Sequence, residues 1–145
     1  ELRDNHLFKG TVAPKDITPI FENKAQPVYL FEGFMDFLSF LSMKEEFTNH
    51  CLVMNSVSNV ARAVRYLTDQ HLTHIRAFLD NGDAGRRTVP EFVRAGFKVE
   101  DMSVHYRNFK DLNEFHVSRV REQQKKLEKT PNTSNKRKQV KLKIR

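Results

Sequence analysis

Between residues 28 and 105 the chain alternates short, continuously apolar runs with longer runs in which apolar residues recur every three or four positions. That alternation predicts an α/β architecture with a largely parallel sheet. Val28-Tyr29-Leu30-Phe31 is apolar on both alternating faces, as a central strand covered on both sides requires, and it ends at Glu32-Gly33. Phe34, Phe37, Leu38 and Leu41 then follow the spacing of a buried helix face over 34–43. Cys51-Leu52-Val53-Met54 reads as a second strand. Val57, Val60, Ala61, Val64 and Leu67 mark the apolar face of a second helix, with Ser58 as its N-cap. Residues 74–79 form a third strand closed by Asp80. A turn-rich loop, Asp80-Asn81-Gly82-Asp83-Ala84-Gly85, leads into a helix over 86–94 with Pro90 in its first turns. Gly96 stands at a helix C-cap, and residues 98–105 predict a fourth strand. Residues 8–12 read as a further strand or hairpin arm on the sheet edge. The expected fold is a compact Rossmann-like α/β domain with about four mostly parallel strands flanked by helices.

Length and charge refine the picture. A chain of 145 residues is one domain plus a tail. Residues 117–145 carry 11 Lys and Arg against Glu122 and Glu128, a balance of +9, whereas residues 1–116 carry 14 against 16, or −2. The division expected is a lead-in segment or edge strand over 1–27, the α/β domain over 28–116 and a basic helix or disordered tail over 117–145. The stretch 130–145 (TPNTSNKRKQVKLKIR) has the composition of a disordered segment whose pull on polyanions is salt-sensitive. It reads equally as a solvated linker. The single cysteine, Cys51, excludes a disulfide scaffold and points to a reducing, cytoplasmic compartment. No apolar run approaches the ~20 residues of a membrane span. The start, Glu1-Leu2-Arg3-Asp4, lacks an initiator Met and a signal-peptide core, as expected of a piece of a longer protein.

In open α/β sheets ligands sit beyond the carboxyl ends of the strands. Glu32 and Asp80 close two predicted strands there, Asp83 shares the loop of Asp80, and Asp111 follows the fourth strand in Lys110-Asp111-Leu112-Asn113-Glu114. Asp36, one turn beyond Glu32, can face the same rim. Oxygen ligands of this kind suit Mg²⁺ or Mn²⁺. The plainer readings are N-caps for Asp80 and Asp83 and a solvent-facing first-turn acid for Asp36. The six histidines show no zinc spacing, Ser56, Ser58 and Cys51 lie in no nucleophile motif, and no glycine-rich phosphate loop follows a strand. Phe109, beside Arg107 and Lys110, is a candidate for base stacking, with a core position as the plainer reading.

Three segments, 28–39 (VYLFEGFMDFLS), 78–86 (FLDNGDAGR) and 110–115 (KDLNEF), resemble the signature regions of the Toprim domain. That domain is shared by bacterial primases, type IA and type II topoisomerases and certain nucleases. The Glu-Gly-Phe-Met-Asp wording is closest to replicative primases and the primase-like proteins of mobile elements. Residues 2–18 also resemble the segment preceding the domain in the latter. The resemblance covers about residues 1–116. It implies metal-dependent nucleotidyl or phosphoryl transfer in primer synthesis, or else a Toprim-type nuclease or a catalytically degenerate binding module.

By the same resemblance Glu32 is the general base or acid, or a metal ligand. Asp80 matches a ligand for Mg²⁺ or Mn²⁺ and Asp111 an acid near a further metal, while Asp83 and Asp36 join the acidic set by their place at the same rim. Arg86 matches the family's basic residue, a phosphate contact; Arg87 and Lys110 beside the motifs, and Lys136, Arg137 and Lys138 by the charge of the tail, are further candidates for contact with DNA or RNA. Nucleoside triphosphates, and a helicase or other replication proteins acting through the parent protein, are the implied partners, with no membrane. Two positions depart from the family pattern. Gly82 stands where the second Asp of Asp-x-Asp belongs, with Asp83 one place later, and Asn113 stands where primases often carry an acid. The isolated fragment lacks the zinc-ribbon and further N-terminal parts that primases use, so activity is expected of the whole protein.

Overall fold

The computed structural model describes residues 16–129. Five strands form one mixed sheet: β1 (Thr18–Ile20), β2 (Val28–Phe31), β3 (Cys51–Val53), β4 (His74–Phe78) and β5 (Lys98–Asp101). Four helices flank it: α1 (Phe34–Ser42), α2 (Val60–Asp69), α3 (Asp83–Arg94) and α4 (Leu112–Glu128). The strand order is β1-β3-β2-β4-β5. Only β1 is antiparallel, with Pro19 opposite Leu52, while β2 lies parallel between β3 and β4.

Side chains alternate across a strand, so the sheet divides its apolar residues between two cores. Val28, Leu30, Leu52, Ile75 and Ala77 face α2 and α3. Phe31, Cys51, Val53 and Phe78 face α1, α4 and a short 3₁₀ turn, Met102–Tyr106. The second core is aromatic, with Phe31 and Phe78 stacked at 4.9 Å between ring centroids. This is a three-layer α/β domain, and no helix among the described residues is long and apolar enough to cross a membrane.

Several local expectations shift. The sheet has five strands, its fifth being β1, while residues 8–12 lie outside the described residues. In α1 the buried face is Asp36, Phe37, Ser39 and Phe40, whereas Phe34 and Leu38 are 44% and 39% exposed. The phase differs because α4 packs onto α1 and offers polar partners. Asn113 N–H donates to Asp36 Oδ1 at 3.0 Å, and Ser39 Oγ lies 2.8 Å from Asn113 Oδ1. In α2 it is Ala63, not Ala61, that is buried with Val60 and Leu67. Ser56 rather than Ser58 caps the preceding 3₁₀ turn, accepting the Ser58 N–H at 3.1 Å.

Helix α3 starts three residues earlier than its apolar pattern suggests, so Pro90 lies in its interior, on an exposed position. The last strand ends at Asp101 because Asp101 Oδ1 accepts the Ser103 N–H and starts the 3₁₀ turn. Gly96 does close α3, at φ +97°, with its N–H bonded to Val93 O. Helix α4 runs unbroken through residue 116, so the basic segment begins within a helix.

Candidate metal-assisted active site

After β2 the chain turns to the face of α1, and after β4 it turns to the opposite face, that of α3. Adjacent strands whose connections part in this way open a crevice at their carboxyl ends. Glu32 and Asp80 stand on its two sides. A cleft of about 450 Å³ lies there, lined by Glu32, Asp36, Asp80 and Asp111, by Asn55, Ser56 and Asn113, and by Gly33, Phe34 and Met35.

Each acid is held by a neighbour. The Asp80 N–H donates to Glu32 Oε1 at 2.9 Å, joining residues 48 apart in sequence. Asp36 is 5% exposed and takes the Asn113 N–H at the start of α4. Asp111 is the N-cap of α4, its Oδ1 accepting the Glu114 N–H at 2.8 Å while Glu114 Oε1 accepts the Lys110 N–H. That reciprocal pairing has the character of a capping box and leaves Asp111 one oxygen for the cleft. Asn81 stitches the loop after β4 to the segment before α4, donating to Tyr106 O and Phe109 O, both at 2.9 Å.

The electrostatics follow from four like charges in a partly desolvated cleft. Burial, then the charge of Glu32, then those of Asp36 and Asp111 push the Asp80 carboxyl up to about 7. Burial pushes Asp36 up to about 6, against the pull of the Asn113 N–H. These groups oppose one another's ionisation, and a cation between them would remove the conflict.

The sequence acids separate into two groups. Glu32, Asp36, Asp80 and Asp111 come together, and Asp36 is buried rather than solvent-facing. Neither Asp80 nor Asp83 is an N-cap: the residue capping α3 is Gly82, without a side-chain bond. Asp83 therefore takes the first helical position, its side chain 86% exposed and 4.0 Å from Arg86. It lies away from the cleft, as do the exposed Arg86, Arg87 and Lys110. Phe109 packs against Phe115 at 5.5 Å between centroids and is half-buried in the second core, in keeping with a core position. Lys136, Arg137 and Lys138 lie outside the described residues.

Sequence reasoning did not single out Asn55 or Asn81, and it took up Ser56 only as a serine outside any nucleophile motif. Asn55 is at φ +66°, a left-handed conformation Asn tolerates, and its amide bonds Asp16 O and Thr18 Oγ1, tying β1 to the cleft side of β3. The only signal was a polar pair placed directly after a strand.

The fit to a divalent ion follows from the donor set. Among the described residues no three His, Cys, Asp or Glu side chains gather closely enough to enclose a metal. Mg²⁺ rarely needs such a cage, being held by about one or two carboxylates together with water and substrate phosphate. Asp80 with Glu32, and Asp36 and Asp111 behind them, fit that mode.

The sequence model of one family, described as Toprim-like, matches residues 29–116. The chain belongs to the Toprim-like family. The matched span begins in β2 and ends in the first turns of α4, so it contains every acid of the cleft. Comparison with curated proteins and with solved structures finds no further match. Membership gives the Toprim-like domain a role in nucleic-acid processing, the common work of a family that includes primases, topoisomerases and nucleases.

Proposed function

We propose that this Toprim-like domain is the catalytic part of a DNA primase-like protein, performing metal-dependent nucleotidyl or phosphoryl transfer in primer synthesis. The observation that carries the reading is the seating of Glu32 against the Asp80 backbone in the crevice between β2 and β4. The N–H fixes the carboxylate and leaves its second oxygen to accept the proton of an attacking 3′-hydroxyl or water. Asp80 is the direct metal ligand in this reading, with Asp36 and Asp111 acting at the rim or through water. A bound Mg²⁺ or Mn²⁺ would neutralise charge on the reacting phosphate. Asn113 offers the cleft an amide in place of a further acid. Nucleoside triphosphates and a DNA or RNA strand are the proposed substrates. The replication role, a mobile-element origin and a helicase partner belong to the same proposal and rest on the wording of residues 28–39 and 2–18, and a cytoplasmic location rests on the single cysteine.

The test is calorimetric titration of Mg²⁺ and Mn²⁺ into the 145-residue chain and its Asp80→Ala variant, with and without a short single-stranded oligonucleotide. Binding lost in the variant supports the reading, and equal binding in both refutes the role given to Asp80. In the full-length protein, Glu32→Gln is expected to abolish primer synthesis while the metal still binds. Undiminished synthesis would remove Glu32 from the chemistry, and strand cleavage instead of synthesis would favour a nuclease.

One observation favours a second reading. Gly82 supplies no carboxylate and Asp83 does not line the cleft, so the cleft holds one acid fewer than the family pattern carries. A degenerate binding module would take up nucleic acid without metal and release it as salt rises.

A further inference from the structure

Two large apolar side chains, Phe34 and Met35, share the lining of the acidic cleft, and both are open to solvent, at 44% and 59% exposure. They stand in the first turn of α1, directly after Gly33, so the same turn that follows Glu32 sets an aromatic ring among the walls of the cleft. The core beneath is already filled by Phe37 and Phe40, which are buried. Phe34 meets Phe37 only at an angle, 51° between ring planes with the centroids 5.6 Å apart. Among the described residues the cations that lie over rings are Lys44, Arg76 and Arg119, and they cover Phe40, Tyr29 and Phe115, not Phe34. A phenylalanine left in water forgoes much of the free energy that burial would give it, and here it does so inside a cleft otherwise lined, Gly33 apart, by polar and acidic groups.

We propose that the acidic cleft receives a nucleotide whose base lies on the Phe34 ring, with Met35 beside it, while its phosphate is held through the metal at Asp80. The proposal rests on the metal-assisted reading for its phosphate anchor and supplies the half of the ligand that reading leaves open. Acids with a divalent ion attract any phosphate and do not single out a nucleotide. An open aromatic face does, because every base has a π-face and stacks whatever its sequence identity. The methionine thioether is unbranched and polarisable, so it adapts to a purine or a pyrimidine alike. The volume of about 450 Å³ lies within the range of about 300–1,000 Å³ typical of small-molecule pockets and suits one nucleotide. An apolar peptide would find the same ring and thioether, but it would cover Glu32, Asp36, Asp80 and Asp111 without bringing a charge to offset them, and that favours a ligand that brings phosphate and metal. The nucleotide is either free or one unit of a single strand.

The test is calorimetric and uses the 145-residue chain in saturating Mg²⁺ at moderate salt. It is titrated with AMP, with ribose 5-phosphate as the ligand lacking a base, and with a short thymidine single strand and its abasic counterpart. AMP or the strand is expected to bind at least tenfold more tightly than its baseless counterpart. Phe34→Ala is expected to erase that difference and Phe34→Trp to retain it. Leu38→Ala changes another exposed apolar residue of α1 that does not line the cleft, and it is expected to leave the difference in place. Thermal transitions check that each variant is folded. A preference for AMP identifies a free nucleotide, and a preference seen with the strand alone identifies a strand. Failure of both to bind, equal binding of the baseless counterparts, or a difference that survives Phe34→Ala would overturn the proposal. An equal loss in Leu38→Ala would mark the outer face of α1 as a general apolar docking surface and overturn it as well. Failure of the metal-assisted reading shows separately, as Mg²⁺ binding that Asp80→Ala leaves unchanged.

Discussion

A methyl group placed on Gly85 would fall 2.2 Å from the carbonyl oxygen of Asp80. The first turn of α3 is thus pressed against the backbone that carries the central acid of the cleft, and only a residue without Cβ permits that approach. Gly85→Ala is expected to push the Asp80 loop outward, costing about 1–3 kcal/mol of stability, as overpacking typically does. Chemical denaturation measures that cost, and metal titration should record weakened binding. A fully stable variant with unchanged metal affinity would mean that the loop relaxes without disturbing Asp80.

Gly82 is the contrasting case. Nothing lies within 4 Å of a Cβ built there, and its φ of −110° suits any residue. Gly82→Asp is expected to be tolerated and to give α3 the side-chain N-cap it lacks, a gain of a few tenths of a kcal/mol. It also restores the missing acid, and Mg²⁺ affinity is expected to rise on the order of tenfold, or about 1.4 kcal/mol. Unchanged affinity in calorimetry would show that position 82 does not reach the ion.

The raised carboxyls of Asp36 and Asp80 give a pH dependence with a definite sign. Both bind their protons more tightly in the folded state than at the ordinary value of 3.8. Their stabilising contribution is complete below that value and is lost as pH rises through about 6 for Asp36 and about 7 for Asp80. In chelator, these two groups should make the melting temperature fall between pH 4 and pH 8. Asp80→Asn should flatten the fall, and Mg²⁺ should offset it at the upper end. A wild-type profile that the Asp80→Asn change leaves unaltered would contradict this account.

At the opposite end of the strands His50, 1% exposed, has Nδ1 2.8 Å from Asn23 O and Nε2 2.9 Å from the Tyr66 hydroxyl, which donates to Glu22. Tyr66→Phe removes the partner of a buried ring nitrogen and is expected to cost about 1–3 kcal/mol. The acidic cleft is remote from this network, so metal binding should not change. Thermal melting together with metal titration separates the two effects.

The central strands were legible because both their faces are apolar, and Glu32 and Asp80 were legible because each closes such a strand. Asp36 was not. An acid in the first turn of a helix has the pattern of a solvated residue, and it is buried by Asn113, 77 positions away. Nothing local carries that contact. Strand β1, three residues including a proline, has too short a pattern to register. The fate of Asp83 depended on where α3 begins, and helix starts are set by backbone geometry that apolar spacing does not record.

The two ends of the sheet bear on how copies of this domain behave toward one another. Among the described residues the outermost strands are three and four residues long. Pro19, at the middle of β1, has no N–H to offer a newcomer, and β5 carries Lys98, Glu100 and Asp101. A neighbouring chain seeking to extend the sheet would meet a broken ladder on one side and charge on the other. The aromatic interior is thereby kept from templating intermolecular β-structure, and crowding at high concentration should leave strand-to-strand aggregation a poor route for this domain.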